Sequence, residues 1–186
     1  MLTATDNLTY ADALYKIGLF KGTDKGYELE KSLTREESAT ILVRLLGEED
    51  KVSADDFEEV FTDVDKDRWS YAYVMYCYKN NITKGTDIDT FSPDKQIDAN
   101  QFVTLMMRLL GYIDVEPDTA LQKSVEYNMI SDETVDKLTK SESFTRGDMV
   151  QIVYNSLNVQ MNDKTEFSQY LYEKGVLTEK EMEQIQ

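Results

Sequence analysis

A segment that returns three times along the 186 residues constrains the fold of this chain more than any other feature; each copy is a short helical stretch, a turn and a second helix with matching punctuation. Copies of one pattern pack on one another and bind through the grooves between them. The second copy, 60–112, is the fullest. It runs through Phe61-Thr62-Asp63-Val64, Trp69, Tyr73 to Tyr78, Asn81-Ile82-Thr83-Lys84-Gly85, Phe91-Ser92-Pro93 and Phe102 to Gly111. The first, 1–50, carries Tyr15 to Gly22, Leu33-Thr34-Arg35-Glu36-Glu37 and Ile41 to Gly47, which parallels Leu105 to Gly111. The third, 113–159, is the most eroded, with Tyr127-Asn128-Met129-Ile130, Phe144-Thr145-Arg146-Gly147-Asp148 and Ile152 to Asn158. A partial fourth start, Tyr172 to Thr178, falls in a C-terminal helical extension, 160–186.

The second helix of each copy is readable from its ends. Thr34, Asp98 and Thr145 are good N-caps, and Glu37, Gln101 and Asp148 follow three positions later as capping-box partners or close variants. Gly47, Gly111 and Asn158 stand where a left-handed residue ends a helix. Between these ends Ile41, Leu42, Leu45 and Leu46, then Phe102, Leu105, Met106, Leu109 and Leu110, then Met149, Ile152, Val153 and Leu157 fall at helical spacing. Three amphipathic helices of one pattern predict a central three-helix bundle with pseudo-three-fold symmetry. The first helices end at Gly18, Asn81 and Asn128, each followed by an apolar residue placed to staple the turn to the core. The segments 26–29 and 90–93 contain turn formers and an aromatic and read as ordered loops. The fold class is all-α.

With 41% apolar residues the chain can bury a core as one domain without disulfides or metals. The single cysteine, Cys77, lies among aromatics and reads as a small buried hydrophobe. A net charge of -16 argues against nucleic acid and anionic membrane surfaces, which need a basic face. There is no apolar run of membrane-spanning length and no signal-peptide pattern at the amino terminus. A mature or excised fragment of a secreted protein would look the same. The runs Glu48-Glu49-Asp50 and Asp55 to Glu59 read as solvated linkers. The absence of histidine removes the usual general base, and no acidic pair stands out for glycosidase chemistry. Asp63-x-Asp65-x-Asp67 opens like a calcium loop, but Arg68 occupies the glycine position and Val74 that of the bidentate glutamate. The expectation is a non-enzyme with no cofactor or metal, a monomer that neither inserts into a membrane nor binds nucleic acid.

In order and spacing these motifs resemble three tandem repeats of the S-layer homology (SLH) family. The family pattern of Phe-x-Asp-Val, a tryptophan, Gly-Ile-x-x-Gly, Thr-Phe-x-Pro and Thr-Arg-Ala-Glu is matched most fully from Phe61 to Gln101. The resemblance implies an extracellular, non-catalytic anchor in the cell wall or S-layer of a Gram-positive type bacterium. Such an anchor binds a secondary cell wall polysaccharide, often pyruvylated, in grooves between repeats. The family's motif arginine carries over to Arg35 and Arg146, and the tryptophan and glycine motifs to Trp69, Lys21, Gly22, Lys84 and Gly85.

A planar guanidinium pairs bidentately with a carboxylate, and helix N-terminal amides would add positive potential beside Arg35 and Arg146. Both side chains are expected outside the core, with pairing to Glu36 or Glu37 as the alternative role for Arg35. Thr34 and Thr145 lie beside them, though capping alone explains both. Trp69 suits either stacking on a sugar face or pinning a helix start to the core. Lys21-Gly22 and Lys84-Gly85 suit an anionic ligand and also ordinary turns. Departures limit the match: Ala99 stands at the arginine position of the second copy, the first and third copies lack a full Phe-x-Asp-Val and tryptophan header, and Ser131-Asp132 replaces the Lys-Gly pair in the third. The alternative is a degenerate repeat that docks a protein partner and is indifferent to the arginines.

Overall fold

The computed structural model describes residues 4–185. Among them are nine α-helices: α1 (Ala4–Lys16), α2 (Arg35–Leu45), α3 (Tyr71–Lys79), α4 (Ala99–Leu109), α5 (Pro117–Glu126), α6 (Asp132–Lys140), α7 (Arg146–Ser156), α8 (Phe167–Glu173) and α9 (Glu179–Met182). Outside them the described residues form a short 3-10 helix, Ala54–Asp56, and isolated bridges, with no sheet, so the architecture is all-α.

The central helices begin as their caps require. Thr34 and Thr145 each accept the N–H three residues on, while Glu37 and Asp148 accept the cap residue's own N–H. Asp98 accepts from Gln101 N–H at 2.8 Å, but Gln101 does not return the bond, because its side-chain oxygen is engaged by Arg35. Gly18, Asn81 and Asn128 take the left-handed conformation that ends α1, α3 and α5, as do Gly47 and Gly111 after α2 and α4. Asn158 does not. After α7 the Leu157 carbonyl accepts the Ser168 N–H at 2.9 Å and Val159 the Phe167 N–H at 3.0 Å, so the incoming α8 satisfies carbonyls that a left-handed cap would otherwise serve.

Helix pairing closes into a ring. Helix α3 packs on α2, α5 on α4, and α1 on α7, while α4 touches both α2 and α7. The outer helix that opens each copy therefore leans on the central helix of the copy before it, and α1 leans on the last. Enclosure is greater than an amphipathic stripe predicts: α4 is buried continuously from Phe102 to Leu109 and α7 from Gly147 to Val153. Polar residues tolerate this because Thr40, Thr104 and Ser156 donate their hydroxyls to carbonyls four residues back, at 2.9, 2.7 and 2.7 Å. Cys77 is likewise buried, and burial raises its thiol pKa.

Loops lock the ring from the other end. Arg35 and Glu36, the first residues of α2, donate their N–H groups to Lys95 and Pro93 carbonyls at 2.9 and 3.2 Å. Arg146 and Gly147, opening α7, donate to Lys31 and Leu29 carbonyls at 2.9 and 2.8 Å. The loop of one copy thus caps the helix of its neighbour. Asp63 fixes the 91–95 loop, its two carboxylate oxygens accepting from Phe91 N–H at 2.8 Å and Ser92 N–H at 2.7 Å. The extension after 159 meets the opposite ends of the central helices: Asn162 N–H donates to the Leu110 carbonyl at 2.9 Å, and Val176 sits so close to Gly47 that a Cβ there would lie 2.6 Å from it.

Candidate functional site

At two junctions of the ring the opening residue of a central helix, Arg35 or Arg146, meets a loop of the next copy. At the junction of the third and first copies a cavity of about 90 Å3 is lined by Gly18, Leu19, Phe20, Lys21, Ile41, Arg44, Glu49 and Arg146. Arg146 is half-buried there. Its Nε donates to the Tyr27 carbonyl at 3.0 Å and its guanidinium lies 5.2 Å from the centre of the Phe20 ring. Burial pulls its pKa below the ordinary value, Glu37 and Glu28 partly offset this, and Arg44 adds to the lowering. No ion pair of the guanidinium satisfies its terminal nitrogens among the described residues, which leaves it suited to a carboxylate. Lys21 and Arg44 add two further cations; Arg44 Nε lies 2.6 Å from Glu49 Oε1 and Lys21 Nζ 3.8 Å from Glu49 Oε2.

The junction of the first and second copies has the same parts in a closed state. Arg35 is only 3% exposed, so it is part of the interior and not outside the core as expected. The 91–95 loop folds over it: Nε donates to the Phe91 carbonyl at 2.7 Å, Nη1 to Gln101 Oε1 at 3.0 Å, and the Phe91 ring centre lies 4.8 Å from the guanidinium. Burial lowers its pKa, with Asp98 and Asp63 opposing. Pairing with Glu36 does not form, because Glu36 accepts from Arg68 Nε at 2.7 Å, from Arg68 Nη2 at 2.9 Å and from the Ser70 hydroxyl. Lys84 and Arg108 meet on Glu116, at 2.5 and 2.9 Å, as Lys21 and Arg44 meet on Glu49.

At the third junction Ala99, Ser131 and Asn155 occupy the positions of the motif arginine, the loop lysine and the helix arginine. Asp148, whose counterparts Gln101 and Glu37 face Arg35 and Arg146, accepts instead from Lys137 of α6 at 2.8 Å. Among the described residues this junction has no comparable cationic set.

The remaining sequence candidates fall around these grooves. The Thr34 and Thr145 hydroxyls are committed to capping, at 3.2 Å from Glu37 N and Asp148 N respectively. Because loop carbonyls take the first N–H groups of α2 and α7, those amides are not free for a ligand. Trp69 is 55% exposed, so it does not pin a helix to the core; it stands between Arg68 and Ser70, both bound to Glu36 at the start of α2. Gly85 is required by its turn, with φ +82° and only 2.6 Å between a built Cβ and either the Phe61 ring or the Thr90 carbonyl. Gly22 is held against the Gly26 carbonyl, which a Cβ would approach to 3.0 Å. Sequence reasoning missed Arg44, Glu49, Arg108, Glu116 and Gln101. A signal existed for two of them, since Arg44 and Arg108 recur at one register in otherwise apolar helices.

Among the described residues no group of three or more His, Cys, Asp or Glu is placed to hold a metal ion, and no helix is long and apolar enough to cross a membrane. Asp63, first of the spaced aspartates, serves the 91–95 loop.

Residues 60–98 match the family model described as the S-layer homology domain. Over 159 residues, 83% of this chain, the sequence is 31% identical to the middle cell wall protein of Brevibacillus brevis, of which it covers 15%. It is 31% identical over 121 residues to a surface layer protein of Brevibacillus choshinensis, covering 62% of this chain and 11% of that protein. A cellulosome-anchoring protein of Acetivibrio thermocellus is 30% identical over 116 residues, 60% of this chain and 24% of the relative. The chain thus spans less than a quarter of the length of these relatives.

Proposed function

We propose that this chain, an S-layer homology protein by the match at 60–98, is a non-catalytic module that anchors whatever it is joined to on a bacterial cell envelope. It does so by binding an acidic secondary cell wall polysaccharide, with a pyruvyl ketal as the acidic substituent. The setting is the cell wall or S-layer of a Gram-positive type bacterium, in keeping with relatives named as cell wall, surface layer and anchoring proteins.

One observation carries the reading. In a molecule of net charge -16, the groove between the third and first copies gathers Arg146, Arg44 and Lys21 around a cavity lined by Leu19, Phe20 and Ile41. A ketal-bearing sugar presents the complementary chemistry, a carboxylate for the guanidinium and a methyl and ring face for the apolar wall. Arg146 is the ligand arginine in this account. Arg35, roofed by Phe91 and held by Gln101, positions the loop that caps α2.

Co-sedimentation with purified Gram-positive sacculi, before and after acid extraction of the secondary polymer, tests the proposal. Binding to intact walls that is lost on extraction is expected. Equal binding to extracted walls would contradict a polysaccharide ligand, and no binding to either would leave a protein-docking role.

A further inference from the structure

Glu49 belongs to an acidic run that reads in the sequence as a solvated linker, yet the structure folds it back into the groove. Its carboxylate lies against Arg44 Nε at 2.6 Å and Lys21 Nζ at 3.8 Å, and it lines the same cavity as Arg146. We infer that Glu49 is a built-in stand-in for the ligand's carboxylate, seated between Arg44 and Lys21, and that an acidic saccharide displaces it to reach these cations together with Arg146.

The inference rests on the function proposed above and adds to it an internal competitor. Its first support is chemical. A carboxylate from solution and the Glu49 side chain seek the same donors, and both cannot occupy them without two like charges meeting in a half-enclosed space. A second support is the contrast with the other groove. There Glu116 closes the same Lys and Arg pair, but Arg108 is buried and also tied by its Nε to the Val115 carbonyl at 3.0 Å. In the first groove Arg44 keeps nearly half of its side chain exposed, and the Lys21 contact is long. The acids sit at non-equivalent positions, five residues beyond Arg44 and eight beyond Arg108, so the clasp is rebuilt from different loop positions and not simply copied with the repeat. A third support is topological: Glu49 follows Gly47, whose φ of +68° turns the chain away from α2, so Glu49 lies outside the helix and its side chain can turn out of the groove while the helix stays in place.

Displacing Glu49 costs an exposed ion pair, roughly a two- to fivefold penalty in apparent affinity by the usual worth of such pairs. Glu49→Gln removes the competitor and keeps the shape. It is expected to bind polymer-bearing sacculi roughly two- to fivefold more tightly than the natural chain, with a steeper loss of binding as salt rises because more cationic charge faces the ligand. Glu116→Gln is expected to leave wall affinity unchanged, since that groove is closed over Arg35. Circular dichroism melting of each variant checks that the fold is kept. Glu49→Gln binding that equals or falls below that of the natural chain, while the natural chain still binds intact walls, overturns this inference and leaves the anchoring function standing. Failure of the natural chain to bind walls overturns both.

Discussion

At the residue scale, two arginines with the same sequence position sit in different surroundings, Arg35 buried under the 91–95 loop and Arg146 half-buried in an open cavity. Arg146→Ala removes a half-buried guanidinium bonded to one carbonyl, and it is expected to weaken wall binding tenfold or more, about 1.4 kcal/mol, with little change in melting temperature. Arg35→Ala removes a buried one held by the Phe91 carbonyl and Gln101, and is expected to destabilise the fold by about 2–3 kcal/mol in denaturant unfolding. The sequence shows both as Thr-Arg pairs; it does not show that Gln101 and the 91–95 loop close over one of them. Glu36 gives a pH signature. Burial pushes its pKa up, but hydrogen bonds from Arg68 and Ser70 outweigh that and hold it below the ordinary carboxylate value. A depressed pKa contributes stability that is complete above the unfolded value near 4.5 and lost as pH falls through the folded value. Thermal melts are therefore expected to hold from pH 7 to about 5 and fall below about pH 4.5, and Glu36→Gln is expected to be less stable at pH 7 and to show a shallower acid decline.

At the element scale, the helices were legible because their signals are local. Thr34, Asp98 and Thr145 announce starts through side chains that cap within three residues, and Gly47 and Gly111 announce ends through the left-handed conformation they adopt. Asn158 misleads because a distant partner, α8, satisfies the carbonyls around it. The linker reading of Glu48 to Asp50 fails at Glu49, which pairs closely with Arg44 five positions earlier and more loosely with Lys21 twenty-eight positions earlier; composition alone reveals neither contact. The loops depend on single anchors. Asp63→Ala strips the acceptors from Phe91 and Ser92 N–H groups and is expected to cost about 2 kcal/mol, with faster amide exchange at Phe91 and Ser92 and in the first turn of α2, which that loop caps. Gly85→Val, which forces a Cβ to 2.6 Å from the Phe61 ring at φ +82°, is expected to be destabilising by a similar or larger amount.

At the scale of the whole molecule, the pairing of α1 with α7 turns a linear array into a closed ring, and the extension after 159 lies across the far ends of the central helices. Three copies and a shared interior were readable from the recurring caps and apolar spacing. The ring closure was not, because it depends on which outer helix covers which central one, and each copy offers the same apolar face. Nor was the inequality of the grooves, which follows from Gln101 against Glu37 and from Ala99 at the third position. Unfolding is expected to be a single cooperative transition, and a chain ending at 159 is expected to melt several degrees lower, having lost the partners of the Leu110 and Leu157 carbonyls. The central claim is that one open groove, built on Arg146, holds the chain to an acidic wall polymer. Its most direct test is co-sedimentation of the natural chain and Arg146→Ala with polymer-bearing and polymer-stripped sacculi, alongside melting curves. The account requires binding that needs both the polymer and Arg146 while the melting temperature stays put; a correctly folded Arg146→Ala chain that sediments as well as the natural one would contradict it.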